Sequence, residues 1–158
     1  MLSSLLFTSF IQLSAGLIQP VTSSILKVDV DESVVYPGVT TGIQIRVEVK
    51  EGYHIQAHAV HDESLVPTTL ELNHNENIII NKQDFPSVKK FSLEGTDTYL
   101  DVYDGRFLIK IFITPVTKAP LGKFVLQARL SYQACDSRSC LFPRFIDFQI
   151  PIEVKTIK

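Results

Sequence analysis

Three long stretches of the chain alternate apolar and polar residues with a period of two. Ile43, Ile45, Val47 and Val49 alternate with Gln44, Arg46, Glu48 and Lys50. Phe124, Leu126, Ala128, Leu130 and Tyr132 do the same against Lys123, Gln127, Arg129 and Ser131, and Ile146, Phe148, Ile150, Ile152 and Val154 make a third series. Successive side chains of an extended strand point to opposite faces, so each stretch presents one apolar face that must be covered. Shorter runs at 25–30, 69–72, 78–80 and 107–114 bring the expected count to about seven or eight strands. Two antiparallel layers packed face to face are the simplest arrangement that buries all these faces, which predicts an all-β sandwich. Turn signals separate the runs at Tyr36-Pro37-Gly38, Glu51-Gly52, Tyr103-Asp104-Gly105 and Ala119-Pro120-Leu121-Gly122. No run with helical periodicity exceeds about two turns, and no repeat, heptad or low-complexity tract is present. Residues 95–104 form the longest polar stretch without clear alternation, and predict a long loop of the kind that carries function.

The chain has 158 residues, 45% hydrophobic and 20% charged, which is a globular balance sufficient for one core. Its formal net charge of -2 and scattered basic residues, with Lys89 and Lys90 the only adjacent pair, exclude an electrostatic nucleic-acid surface. The first charged residue is Lys27. The apolar stretch 5–17, broken by Ser and Thr, is too short and too polar for a membrane span and suits a signal-peptide core, although a basic start is missing. Residues 1–24 are therefore expected to be a signal peptide or N-terminal extension, with the domain at 25–158; a first strand of the domain is the alternative. Nowhere do 18 apolar residues run together, so no membrane-spanning segment is expected.

Two cysteines, Cys135 and Cys140, lie five positions apart. Cys135 ends one alternating run and Cys140 stands just before the next, so the pair occupies the connection between two strands. A disulfide there would close a loop of about six residues and stabilise by roughly 2 kcal/mol, near the low end for such bonds. A bridge serving as a staple usually joins distant segments. Arg138 and the N–H groups of a tight turn would favour a thiolate nearby. Spacing alone leaves open a redox-active pair, a structural disulfide, and metal-bound or unpaired thiols. Thiol–disulfide exchange needs one exposed, partly ionised thiol and a second within reach of it, which two cysteines on one connection supply without a cofactor. Asp136 or Asp101 could relay a proton, though Asp is also frequent in turns for its own backbone bonding.

The run Tyr132-Gln133-Ala134-Cys135-Asp136, then Cys140-Leu141-Phe142-Pro143 and a final strand ending Ile150-Pro151-Ile152-Glu153-Val154, resembles the N-terminal domain of DsbD-type thiol:disulfide interchange proteins. Pro37-Gly38, the strand at 43–49, and the segments 52–55, 66–72, 102–105 and 119–124 follow in that family's order, so that the resemblance covers 25–155. It implies an immunoglobulin-like antiparallel β-sandwich in the bacterial periplasm, acting as a protein-disulfide reductase component. Electrons would come from a thioredoxin-like protein or domain fed through a membrane electron-transfer partner. They would pass to oxidised periplasmic proteins such as disulfide isomerases or cytochrome c maturation factors. By the same resemblance Cys140 would attack the partner's disulfide and Cys135 would resolve the mixed disulfide. The family's cap loop, which shields the cysteines with an aromatic side chain, corresponds to Asp101, Val102, Tyr103 and Asp104. Tyr103 would be the shield, with Val102 in the aromatic's place as the alternative, and the Tyr132 hydroxyl could border the site. The four-residue spacer between the cysteines is shorter than in some members, and a second Cys-x-x-Cys module is absent.

Other constellations point less sharply. His54, His58 and His61 with Asp62 and Glu63 are the one metal-like cluster, but Gly52 and Pro67 argue for a strand entering a loop, and no metal is expected. No phosphate loop or nucleophile elbow is present. The acid pair Asp29 and Asp31, like Asp62 and Glu63, reads as strand-end and loop solvation. The readings from other classes are an immunoglobulin-like binding or adhesion module with a passive disulfide, and a metal-handling domain.

Overall fold

The computed structural model describes residues 20–157, which form thirteen strands and, among the described residues, no helix. One sheet runs in the order β1 (Val21–Thr22), β2 (Leu26–Val30), β4 (Thr41–Val49), β10 (Arg106–Pro115) and β7 (Ile78–Asp84), all antiparallel. A second runs β3 (Ser33–Val35), β13 (Arg144–Val154), β11 (Gly122–Tyr132) and β6 (Thr69–Leu72). Ile43, Ile45, Ile109, Ile111 and Ile113 from the first sheet and Leu126, Leu130, Ile150 and Ile152 from the second share one buried core. The molecule is an immunoglobulin-like β-sandwich, and each alternating run in the sequence is a strand of it. The departure from the expected antiparallel plan is β3, which adds parallel to β13 with Ser33 opposite Ile152. Most of the expected leader, residues 1–19, lies outside the described residues; Val21 and Thr22, within its expected span, pair with β2.

A third, smaller sheet stands beside the sandwich, in the order β12 (Ala134–Cys135), β5 (His54–Gln56), β9 (Tyr99–Tyr103) and β8 (Lys89–Ser92). The long loop expected at 95–104 is instead half strand: β9 pairs with β8, Phe91 opposite Leu100 and Lys90 opposite Asp101. Its alternation was hidden because both faces are covered, with Leu100 and Val102 buried on one and Tyr103 on the other. The chain passes from the first sheet to the small one between β4 and β5, and from the small one back to the first between β9 and β10. Both passages turn on glycines with positive φ, Gly52 at 83° and Gly105 at 58°, a conformation that a side chain disfavours. The Gly105 carbonyl accepts from the Val49 N–H at 2.8 Å, tying the two passages together.

On the outer surface, Asp29 and Asp31 are not merely solvated. Both grip the Arg46 guanidinium, Asp29 at 2.7 Å and Asp31 at 2.7 Å. The paired carboxylates thus serve a cross-strand ion pair between β2 and β4.

Ile150 fills the core between the sheets, so Ile150→Ala should lower unfolding free energy by about 2–5 kcal/mol. Phe142, 90% exposed, should change it by no more than about 0.5 kcal/mol when replaced by Ala. Urea denaturation of both variants checks the pair.

Candidate functional site

Cys135 and Cys140 are joined by a disulfide, S–S 2.03 Å, with Cα atoms 3.9 Å apart. Cys135 sits on β12 opposite His54 of β5. The connecting turn closes on itself: the Asp136 N–H donates to the Ser139 carbonyl at 3.0 Å, and Asp136 Oδ1 accepts the N–H groups of Arg138 and Ser139, each at 2.8 Å. Those two backbone bonds hold the Asp136 carboxyl below its ordinary pKa. The turn N–H groups expected beside a thiol are therefore spent on Asp136, and Arg138 lies 3.8 Å from Glu94. Asp136 is a turn-capping carboxylate rather than a relay placed on the sulfur. On the far side, Leu141 N–H donates to the Ala134 carbonyl at 2.7 Å. The Gln133 carboxamide donates to the Leu141 carbonyl at 3.1 Å and accepts the Val66 N–H at 2.8 Å.

The two sulfur-bearing residues are covered unequally. Cys135 is 0% exposed and Cys140 only partly buried. Leu100, Val102, Leu65, Phe91 and Leu93 pack around them, so the cover is the β8–β9 hairpin together with the segment carrying Leu65. The hairpin tip is fixed to the cysteine turn by Glu94 N–H donating to the Ser137 carbonyl at 2.8 Å.

Val102, not Tyr103, faces the disulfide. Neighbouring residues of a strand point to opposite faces, so the two cannot both cover the sulfurs. Tyr103 belongs to the main core, its hydroxyl accepting the His58 N–H at 3.1 Å and its ring 5.2 Å from that of Phe107. Burial pushes its phenol pKa up. Tyr132 is also a core residue, and its hydroxyl meets Ser23 Oγ at 3.3 Å instead of bordering the site.

The charged groups of the expected cap are held in ion pairs. The Asp101 side chain, 8% exposed, pairs with Lys90 and lies 3.2 Å from His61 Nε2. The Lys90 hydrogen bond holds its carboxyl below the usual aspartate range. Asp104 pairs with Lys89 and stands 3.9 Å from His54. The three histidines have separate engagements: His54 stacks on Phe91 at 3.9 Å, His58 stacks on Phe85 at 4.0 Å, and His61 meets Asp101. Among the described residues no three His, Cys, Asp or Glu side chains form a metal-binding group.

Gln56 is the site residue that the sequence did not reveal. Its Nε2 lies 3.1 Å from Cys135 Sγ and 3.8 Å from Cys140 Sγ. The available signal was a lone amide between Ile55 and Ala57, both fully buried, in a strand of three residues, too short for alternation to mark. A cavity of about 130 Å3 opens beside it, lined by Gln56, Leu65, Leu100, Asp101 and His61 among others. The arrangement offers one sulfur on a partly exposed residue, one sulfur sealed in an apolar nest, and an amide donor against the sealed one.

Residues 22–149 match the family described as thiol:disulfide interchange protein DsbD, N-terminal. Among solved structures, the chain is similar to the N-terminal periplasmic domain of ScsB from Proteus mirabilis at 14% identity and TM-score 0.59, covering 85% of this chain and 49% of that one. The chain thus spans about half the length of that structure. The reduced DsbD N-terminal domain of Neisseria meningitidis matches at 17% identity and TM-score 0.42, over 69% of this chain and 75% of that one. No curated protein matches the sequence.

Val102→Ala should expose the disulfide and speed its reduction by dithiothreitol, whereas Tyr103→Phe should leave that rate unchanged and cost about 1 kcal/mol of stability for its lost hydrogen bond. Stopped-flow reduction and denaturation separate the two. Asp101 has a lowered folded pKa, so its contribution to stability is present above the unfolded value and lost as pH falls through the folded one. Asp101→Asn should therefore lower the melting temperature at neutral pH, and the difference from wild type should shrink below about pH 3.9. Melting curves at neutral and acid pH read this directly.

Proposed function

The chain belongs to the family of DsbD N-terminal domains, and from that premise we propose that it is an exported thiol–disulfide exchange domain carrying reducing equivalents through Cys135 and Cys140. The observation that carries the reading is the disulfide itself, closed across a short turn with Cys135 buried and Cys140 partly exposed.

In the reduced domain, the Cys140 thiolate attacks the disulfide of an oxidised protein and forms a mixed disulfide. Cys135 then attacks Cys140 Sγ, releasing the partner as a dithiol and leaving the bond seen here. Recharging runs the steps in reverse, with a donor thiolate entering at Cys140 and the electron pair leaving on Cys135. This order is supported by access, since Cys135 lies beneath Leu100 and Val102. The donor in this reading is a thioredoxin-like protein or domain supplied by a membrane electron-transfer partner. The acceptors are oxidised periplasmic proteins, disulfide isomerases and cytochrome c maturation factors among them. Export by the apolar N-terminal stretch belongs to the same reading, with the domain open by Val21, where β1 begins.

The cap consists of Leu100 and Val102 with Phe91 and Leu93, and admitting a partner sulfur to Cys140 requires the hairpin tip to yield. The bond between Glu94 and Ser137 is the contact that such movement breaks.

Cys135→Ser keeps the attacking sulfur and removes the resolving one. Mixed with an oxidised thioredoxin-like protein, it should accumulate a mixed disulfide visible on a non-reducing gel, while Cys140→Ser should accumulate none. Absence of any adduct with either variant would assign the bond a passive, structural part.

A further inference from the structure

The Gln56 carboxamide is 1% exposed, and its Oε1 is buried without a hydrogen-bond partner. Its Nε2 reaches both sulfurs, at 3.1 Å and 3.8 Å. An amide buried with one end idle costs free energy, and the sulfurs of a disulfide accept only weakly and donate nothing. Turning the amide over would not help, because Oε1 would then face sulfur lone pairs and the NH2 group would lose its only acceptors.

The residue's placement does not depend on the sulfurs. Its N–H donates to the Gln133 carbonyl at 2.9 Å, its carbonyl accepts Thr68 Oγ1 at 2.6 Å, and β5 is flanked by β12 and β9. The fold thus holds a donor against Cys135 Sγ in the state where that donor achieves least. Reduction reverses the balance. A thiolate at Cys135 is a far better acceptor for Nε2, and an S–H is a donor for the idle Oε1.

We propose that Gln56 is a catalytic residue of the exchange reaction, whose Nε2–H stabilises the thiolate leaving from Cys135 and whose Oε1 accepts the S–H that reduction creates. This rests on the exchange reading for its physiological step. The reductant is a dithiol. One of its thiolates attacks Cys140 Sγ, forming a mixed disulfide, and the Cys135–Cys140 bond breaks with its electron pair on Cys135 Sγ, beside Nε2. The second thiolate of the reductant then displaces Cys140, so that the reductant leaves as a disulfide. Its two electrons and two protons end on the cysteine pair. Because the bond from Nε2 to sulfur strengthens as negative charge develops, it lowers the barrier and not only the ground state.

The test uses Gln56→Leu and Gln56→Met, which put an apolar side chain of similar size in its place and remove both donor and acceptor. Three quantities are read on the whole chain: the rate of reduction by dithiothreitol at pH 7, the equilibrium constant with glutathione, and the melting temperature of the oxidised form. Both variants should be reduced about ten-fold more slowly, and the equilibrium should move about ten-fold toward the disulfide, equivalent to about 30 mV for a two-electron couple. The oxidised form should melt at or above the wild-type temperature, since an unsatisfied buried oxygen is gone. Wild-type rate and equilibrium in a folded variant would overturn the proposal, as would slower reduction matched by a lower melting temperature of the oxidised form. Should the Leu variant fail to fold, the unbranched Met variant decides. The mixed-disulfide trap with Cys135→Ser tests the exchange reading separately, because its failure leaves the wild-type-to-variant ratios for Gln56 untouched.

Discussion

Adjacent residues on a strand face opposite ways, and β9 is buried on both sides. Val102 looks toward the disulfide and Tyr103 toward the core shared by the two large sheets. The cover over Cys135 is for this reason continuous with the body of the protein. Tyr103, anchored through His58 and packed against Phe107, fixes the position of Val102 one residue away. Only the far end of the hairpin, held by Glu94 to Ser137, is joined to the cysteine turn by a single backbone bond. In the proposed reading this cap is stiff at its base and gives way at its tip, where Glu94 meets the cysteine turn.

The acidic groups nearest the bond are engaged elsewhere. Asp136 is occupied with its own turn, Asp101 with Lys90 and His61, and Asp104 with Lys89. The groups packed on the sulfurs are aliphatic and aromatic side chains, with the neutral Gln56 amide as the polar contact. In such a setting a thiolate at Cys135 gains little from Coulomb attraction, and hydrogen bonding becomes the main means of tuning it.

The long strands of the large sheets were legible because each has one wet face and one dry face, as in Ile43 to Val49, where every second residue is buried. The small sheet was not. Its strands have two to five residues, and β5 and β9 carry buried side chains on both faces, so no alternation marks them. The same cause explains Tyr103, since facing direction depends on register, which sequence spacing does not specify. The cysteine pair was legible from its flanks, whereas Gln56 lies 79 residues from Cys135 and meets it only through the pairing of β5 with β12.

The central claim is that the Cys135–Cys140 bond is made to be broken and remade by other thiols. Its reduction potential, measured by redox titration of the folded chain against glutathione or thioredoxin buffers, tests that claim most directly. An exchange disulfide should titrate well above about -300 mV, whereas a value below it would mark a structural bond that the thiol pool does not open.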